Sequence, residues 1–292
     1  METKQYTFDS NGNTLTGYMY LPEGFSEDTK HPAAIVTGAW TTSQHQMAET
    51  YAKKLAENGI IGVTFDFSSW GESEGEPRYM EDPKVKTSDI VNAAAYLKGL
   101  EFVDSDKLYG LGVCASSGYM TDAALEGHFA KIAVVAPWLH NKDLAETIYG
   151  GEEGVQGLID ASRDAEEKQK KGEDVVIEGA SKTNEDALMG DFDYYANPER
   201  GAIEAWDNKW NMTSWEKWLT YDPISRAEQQ NTPILLVHSE SAMIPDGART
   251  YHEKVSSEKK MIWMDDVTQD MFYDDQEVID KVIPEVTNWF VG

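Results

Sequence analysis

The chain has 292 residues and a net charge of -27, from 25 basic and 52 acidic residues. Nucleic acids and anionic membrane surfaces are bound through basic patches, so this charge argues against both as partners. The length fits one large α/β domain or a core with an inserted subdomain, and 40% apolar residues are enough for a substantial core. The single cysteine excludes an intrachain disulfide and any multi-cysteine metal site.

The first twelve residues contain no apolar segment of the kind found in signal peptides, and no run approaches about 18 apolar residues. We therefore expect a cytoplasmic protein that acts on, or binds, a small molecule, with no nucleic acid or membrane partner. We also expect no cofactor and no metal. The sequence leaves the formation of a homo-oligomer open.

Strand and helix patterns alternate over residues 1–137. Residues 5–8 and 14–21 flank a turn signal, which predicts an opening hairpin. Apolar runs predict buried strands at 33–37, 60–67, 108–113 and 132–135. Between them, apolar side chains at three- and four-residue spacing predict helices, one from Met47 to Asn58 and one from Ser88. Near-continuous apolar strands of this kind form parallel sheets covered on both faces.

The alternation stops after Pro137. Residues 138–221 contain no strand-like run and are rich in aromatic side chains. Strand patterns resume at 233–238 and 261–264, each followed by a predicted helix, at 246–255 and 277–290. We therefore predict an α/β core at residues 1–137 and 222–292, with residues 138–221 as an inserted helical cap.

The strand at 108–113 leads into Cys114, and a helix is predicted to start at Ser116. A strand, a sharp turn and a helix, with small residues two positions before and after the tip, form the pattern of a nucleophile elbow. Gly112 and Ser116 are those small residues. A thiol at a helix N-terminus is favoured as the thiolate, so we predict a low-pKa nucleophile at Cys114. Two alternatives are Ser116 as the nucleophile in a shifted frame and Cys114 as buried packing.

The strand ends resemble those of an α/β-hydrolase, near the dienelactone-hydrolase-like branch, which also uses cysteine at the elbow. The fragments that carry the resemblance are GAWTT from Gly38, FDFSSWGESEGEP from Phe65, GVCASSGYM from Gly112 and TQDMFYD from Thr268. The resemblance implies an α/β-hydrolase fold, a mostly parallel twisted sheet with helices on both faces. It also implies an oxyanion hole made by the N–H of Ala115 with that of Ala39 or Trp40.

Both expected partners of the nucleophile are missing from their places. Ala242 stands where the resemblance puts aspartate, and Gln269 stands at the histidine position. Glutamine can position a water molecule but cannot accept its proton, so the nearest carboxylates, Glu240 and Asp270, are candidate bases. The histidines of the chain are predicted to be surface, cap or structural residues: His31, His45, His128, His140, His238 and His252.

Three functions stay open from the sequence. The first is a cysteine hydrolase or acyltransferase acting on an ester, lactone or thioester, and slow in hydrolysis for lack of a base. The second is a catalytically degraded pseudo-hydrolase that binds an apolar or aromatic ligand beneath the cap. The third is a serine esterase that uses Ser116 with an unidentified base.

Overall fold

A computed structural model describes residues 1–292. The strands, in chain order, are β1 (Glu2–Ser10), β2 (Asn13–Leu21), β3 (His31–Thr37), β4 (Ile61–Phe65), β5 (Val103–Val113), β6 (Lys131–Val135), β7 (Val176–Glu178), β8 (Lys209–Asn211), β9 (Ile234–Ser239) and β10 (Lys259–Met264). Eight of them form the central sheet, in the spatial order β1-β2-β4-β3-β5-β6-β9-β10. Strands β1, β2 and β4 pair antiparallel, and all other neighbours in this sheet are parallel. The predicted hairpin and mostly parallel sheet are confirmed.

The helices are α1 (Met47–Glu57), α2 (Pro83–Lys98), α3 (Ser116–Ala124), α4 (Lys142–Ile148), α5 (Gly151–Lys170), α6 (Asp193–Ala196), α7 (Ser214–Leu219), α8 (Pro245–Lys254), α9 (Met271–Asp274) and α10 (Gln276–Val291), with a 3₁₀ helix at Ile224–Gln229. Helix α1 packs against α10 and α2 packs against α3, and both pairs contact the sheet. None of these helices combines the length and hydrophobicity needed to span a bilayer.

Helix α2 begins five residues before the predicted start at Ser88. The Asp82 side chain caps it by accepting hydrogen bonds from the N–H groups of Lys84 and Val85, and Pro83 occupies its first position. A carboxylate cap followed by proline is a strong helix start, because it satisfies backbone donors that the helix leaves free. The sequence Asp82-Pro83 carries this signal, so the true helix start is visible in the sequence.

Residues 138–221 carry α4 to α7 and a separate two-stranded antiparallel sheet of β7 and β8. The expectation of no strand in this segment was wrong, because strands of three residues are too short to show an alternating pattern. Trp206, Trp210 and Trp218 of the segment belong to the same buried cluster as the sheet. The carboxyl ends of the parallel strands lie at one edge of the sheet, where ligands gather in α/β proteins.

Candidate active site

Cys114 forms the sharp turn between β5 and α3. Its φ of 57° lies in the left-handed region, which residues other than glycine adopt only when the surroundings enforce it. Here the N–H of Cys114 donates to the Val135 carbonyl at 3.1 Å, and its carbonyl accepts from the N–H of Trp138 at 3.0 Å. A Cβ added to Gly112 would lie 2.8 Å from the Ser116 carbonyl oxygen. The turn therefore requires glycine at position 112, as the elbow pattern predicts.

Ser116 lies beneath the turn and supports it. Its hydroxyl donates to the Val113 carbonyl at 3.1 Å and accepts from the Thr37 hydroxyl at 2.9 Å. The residue is fully buried and does not line the cavity described next. The structure thus places the alternative nucleophile behind Cys114, with its hydroxyl engaged in packing the elbow.

A cavity of about 410 Å³ opens above the elbow. Of its 16 lining residues 13 are hydrophobic, and the set combines strand ends with residues of the 138–221 segment: Trp40, Cys114, Ala115, Trp138, Ile148, Tyr149, Leu188, Met189, Gly190, Asp191, Phe192, Tyr195, Trp218, Met243, Gln269 and Tyr273. Its volume and apolar lining are typical of small-molecule sites. Residues of the predicted cap and the predicted nucleophile therefore share one cavity.

Two backbone N–H groups face the thiol. Those of Ala115 and Trp40 both favour negative charge on the Cys114 sulfur, and neither donates to a backbone carbonyl. The N–H of Ala39 instead points at the Met47 sulfur, 3.4 Å away. Of the two predicted partners of Ala115, Trp40 therefore directs its N–H at the thiol, whereas Ala39 directs its N–H elsewhere. Free donors beside a nucleophile are the geometry that stabilises an oxyanion.

The prediction of a low pKa at Cys114 was wrong. Burial raises the pKa of the thiol above its ordinary value. The Tyr273 hydroxyl, the Ala115 N–H, Gln269 and the Trp40 N–H oppose this effect without reversing it. A helix end acts only on the chain next to it, whereas burial depends on residues brought in from distant segments. Burial therefore favours the neutral thiol over the thiolate.

Gln269 is held in a fixed orientation at the edge of the cavity. Its Oε1 accepts from the N–H of Met243 at 3.0 Å. Its Nε2 donates to the Ala136 carbonyl at 2.9 Å and to the Tyr273 hydroxyl at 3.1 Å. The Met243 N–H requires an acceptor and the Ala136 carbonyl requires a donor. These two groups therefore fix the positions of the oxygen and the nitrogen of the Gln269 amide. Buried Ala242 precedes Met243 and supplies no carboxylate.

Tyr273 is the site residue that the sequence analysis missed. It lies on α9, four residues after Gln269, is only 2% exposed and lines the cavity with Cys114. Its hydroxyl is close enough to the thiol to influence the pKa of Cys114. Tyr273 stands in the fragment TQDMFYD, so its proximity to Gln269 could have been read from their spacing. Its proximity to Cys114 depends on the fold alone.

The two candidate carboxylate bases lie outside the cavity lining. Glu240 is exposed and pairs with Arg249. Asp270 accepts hydrogen bonds from Arg200 at 3.0 Å and from Thr268 at 2.6 Å. Burial raises the pKa of Asp270, but these hydrogen bonds outweigh it, so the pKa lies below its ordinary value. The structure places neither carboxylate beside Cys114.

No histidine lines the cavity. His140 and His238 are buried, and each bonds through Nε2 to a backbone carbonyl, that of Trp218 at 3.0 Å and that of Met243 at 3.1 Å. Burial lowers the pKa of both histidines to about 4. Both are therefore neutral hydrogen-bonding residues of the interior, in agreement with the structural role predicted for His238.

Comparisons with solved structures define the fold. The hypothetical protein PA2218 from Pseudomonas aeruginosa superposes with a TM-score of 0.84 over 98% of this chain and 93% of that one, at 21% identity. The α/β-hydrolase GrgF from Penicillium sp. sh18 gives a TM-score of 0.82 over all of both chains, at 18% identity. The chain has the α/β-hydrolase fold. At these identities the likeness concerns the fold and not the chemistry.

Sequence relatives cover the chain to different extents. The uncharacterized protein YcjY of Escherichia coli K12 is 36% identical, but the match spans only 43% of this chain and 42% of YcjY. PA2218 of Pseudomonas aeruginosa is 26% identical over 90% of this chain and 73% of that protein. No protein-family model matches the chain.

Three fungal relatives have names that state an activity, and two of them cover more than half of the chain. The polyketide transferase claH of Penicillium crustosum is 28% identical over 58% of this chain and 54% of its own length. The thiohydrolase of Eupenicillium brefeldianum is 22% identical over 80% of this chain and 75% of its own length.

Proposed function

We propose that the protein transfers acyl groups through a covalent thioester on Cys114, with an ester, lactone or thioester as the acyl donor. The observation that carries this proposal is the elbow itself: a thiol held in a left-handed turn, at the wall of an apolar cavity, beside two free N–H groups. This is the arrangement that acyl transfer requires, a nucleophile within reach of donors for the developing oxyanion.

In the first step the Cys114 sulfur attacks the carbonyl carbon of the donor. The carbonyl oxygen becomes negative between the N–H groups of Ala115 and Trp40, and the bond to the leaving group then breaks. Backbone donors fixed in a water-poor site stabilise such an oxyanion strongly, because no reorganisation is needed at the moment of reaction. The product of this step is an acyl group on Cys114 and a free leaving group.

The second step depends on the acceptor. Water must lose a proton as it attacks, and the cavity lining offers no histidine for that purpose. Its one carboxylate, Asp191, is exposed and pairs with Lys182 at 3.4 Å, which disfavours it as a base. Gln269 is neutral and uses its oxygen to hold the N–H of Met243. We therefore infer slow hydrolysis and faster transfer to an acceptor that is a better nucleophile than water.

The names of the relatives are consistent with this chemistry, since they refer to a polyketide transferase and a thiohydrolase. The closeness to the dienelactone-hydrolase-like branch belongs to the proposal as well, and rests on cysteine at the elbow. The walls of Trp40, Tyr149, Phe192 and Trp218 favour an apolar or aromatic acyl group.

A pseudo-hydrolase is the second candidate. It is favoured by Ala242 and Gln269, which replace both side chains that a nucleophile of this fold ordinarily relies on. In that case the cavity would bind an apolar or aromatic ligand without reacting with it.

Intact-mass analysis separates the two candidates. The protein is mixed with p-nitrophenyl esters and alkyl thioesters of short, long and aromatic acids, and any adduct is located by peptide mapping. We expect one acyl group on Cys114 in the wild type and none in Cys114→Ala. An adduct on Ser116 would support the serine esterase, and no adduct with any donor would support the pseudo-hydrolase.

A further inference from the structure

The hydroxyl of Tyr273 accepts a hydrogen bond from Gln269 Nε2 at 3.1 Å, and Tyr273 lines the same cavity as Cys114. Its ring is held in place by edge-on packing against Tyr194, with centroids 5.0 Å apart. Helix α9 is fixed in turn by a hydrogen bond of 2.8 Å from the Tyr51 hydroxyl to the Phe272 carbonyl. The tyrosine hydroxyl is therefore a rigidly positioned group at the wall of the reactive cavity.

The direction of its hydrogen bonds follows from the backbone. Since Met243 N–H and the Ala136 carbonyl fix the amide of Gln269, its Nε2 must donate to the Tyr273 oxygen. The tyrosine's own hydrogen is then free for another acceptor. Tyr273 and Cys114 line the same cavity, and the hydroxyl influences the pKa of the thiol. The Tyr195 hydroxyl directs its own hydrogen towards the Trp40 carbonyl at 3.5 Å, so its oxygen is a second acceptor for the Tyr273 hydrogen when no acyl donor is bound.

We propose that Tyr273 is a catalytic residue that passes the proton between Cys114 and the departing or incoming group, and that the site is thereby suited to exchange between thiols and thioesters. The inference rests on the acyl transfer proposed above. Tyr273 would do here what a histidine does in other hydrolases of this fold, but as a neutral relay.

The proton balance of such an exchange closes without a base. As the bond between the Cys114 sulfur and the acyl carbon forms, the thiol proton passes to the Tyr273 oxygen. The tyrosine's own proton passes to the sulfur of the leaving group, whose bond to the carbon breaks, and a free thiol departs. The incoming thiol reverses these transfers. Tyr273 is a neutral phenol before and after each half-reaction.

The same relay discriminates against water. A neutral phenol is a weak proton acceptor, and here burial raises the pKa of Tyr273 further, which disfavours the phenolate. A thiol with a pKa of about 8.5 releases its proton to such a group far more readily than water, whose pKa is about 15.7. We therefore expect the acyl group on Cys114 to react faster with a thiol than with water.

The test compares acyl donors whose leaving groups differ in their need for a proton. A p-nitrophenyl ester leaves as a stable anion, whereas an alkyl thioester needs its leaving sulfur protonated. With the nitrophenyl ester the Cys114 proton is lost to solvent before attack and the leaving group needs none, so in Tyr273→Phe we expect this acylation to stay within a few-fold of wild type. Acylation by the alkyl thioester should fall by about 10²-fold or more, the usual contribution of a positioned proton donor.

The matched control is Tyr251→Phe, which removes another tyrosine hydroxyl that is 2% exposed and lies outside the cavity lining. It should react with both donors as the wild type does. An equal loss with both donors in Tyr273→Phe, or no loss with either, would overturn the relay and leave acyl transfer standing. A wild type that reacts with neither donor would overturn the acyl transfer itself.

A measurement on the wild type covers the case in which Tyr273→Phe does not fold. The relay predicts a larger solvent deuterium isotope effect on acylation by the alkyl thioester than by the nitrophenyl ester, because only the former moves a proton to the leaving group. Equal isotope effects for the two donors would contradict the inference.

Discussion

The two sides of the cavity differ in their polar groups, which are mainly backbone N–H groups on one side and side chains on the other. On the elbow side, at the ends of β3 and β5, the working groups are one thiol and the N–H groups of Ala115 and Trp40. On the side of β9 and β10, Gln269 and Tyr273 form a hydrogen-bonded pair anchored to backbone atoms. Backbone donors persist whatever side chains the sequence carries, whereas a side-chain triad is lost by substitution. A chain without a histidine at this site can therefore still offer the two N–H groups that we propose as the oxyanion site.

The elbow side also contains a buried ion pair that supports it. Lys86 lies 2.7 Å from Glu81, and both side chains are at most 2% exposed. Glu81 also accepts from the Tyr119 hydroxyl at 2.7 Å and from the N–H of Thr41 at 3.4 Å, next to Trp40. Lys86 therefore stabilises the carboxylate that holds the loop carrying Trp40.

Lys86→Met should have the largest effect on stability. Removing one partner of a buried pair leaves an uncompensated charge, and the expected loss is about 3–5 kcal/mol in the free energy of unfolding. Urea denaturation measures it, with the exposed Lys84→Met on the same helix as the control. Adding Glu81→Gln should recover part of the loss, and a Lys86→Met variant as stable as its control would contradict this role of the pair.

The second prediction rebuilds the missing side of the cavity. Gln269→His combined with Ala242→Asp should raise hydrolysis of an activated ester by about 10–10²-fold, because a base then exists for water. The gain should exceed the sum of the single changes, since the carboxylate orients the imidazole and supports its charge.

The rate should follow deprotonation of a histidine with a pKa of about 6.5, and it should vanish with Cys114→Ala. A folded double variant without any gain would show that position 269 does not face the reacting atoms. In that case the difference between the two sides of the cavity would not explain slow hydrolysis.

The third prediction concerns the thiol alone. Because burial raises the pKa of Cys114, its alkylation by iodoacetamide should be slow near pH 7 and still be rising at pH 9. Unfolding in denaturant should shift the profile to the ordinary thiol pKa of about 8.5. A plateau reached below pH 7 would instead indicate a thiolate at rest and a mechanism without proton transfer from Cys114.

The fourth prediction addresses the contact between the 138–221 segment and α9. Arg200 pairs with Asp270 at 3.0 Å and with Asp274 at 2.6 Å. In the chain, Asp270 lies three residues before Tyr273 and Asp274 directly after it. Arg200→Ala should cost about 1 kcal/mol in unfolding free energy, and the difference from wild type should shrink in high salt.

Arg163→Ala is the control for Arg200→Ala, because it breaks a more exposed pair with Glu216 inside the segment. The Arg200 variant should also weaken quenching of tryptophan fluorescence by an aromatic acyl ligand. Equal losses of stability in the two variants would show that the Arg200 cluster does not tie the segment to the core.

The sequence predicted the sheet better than the site. Its buried strands are apolar runs whose pattern is local, and α1 follows directly from Met47, Tyr51 and Leu55, all fully buried. Strands β7 and β8 were missed because three residues carry no periodicity, and α9 because it is a single turn.

Within the site, the elbow was predictable because its sharp turn requires glycine at position 112, which is visible in the sequence. The state of the thiol and the role of Tyr273 were not predictable. Both depend on α9, more than 150 residues after the elbow in the chain, being brought against Cys114 by the fold. A helix-end effect acts within one turn, and the tertiary burial that opposes it leaves no trace in the local pattern.

The fate of an acyl group on Cys114 tests the central claim most directly. The acyl-enzyme is prepared with a p-nitrophenyl ester, freed of excess donor, and followed by intact mass in buffer with and without an added alkyl thiol. The account predicts that the adduct persists in buffer and is discharged by the thiol, with the matching thioester as product. Loss of the adduct as free acid, at a rate that the thiol does not change, would contradict it.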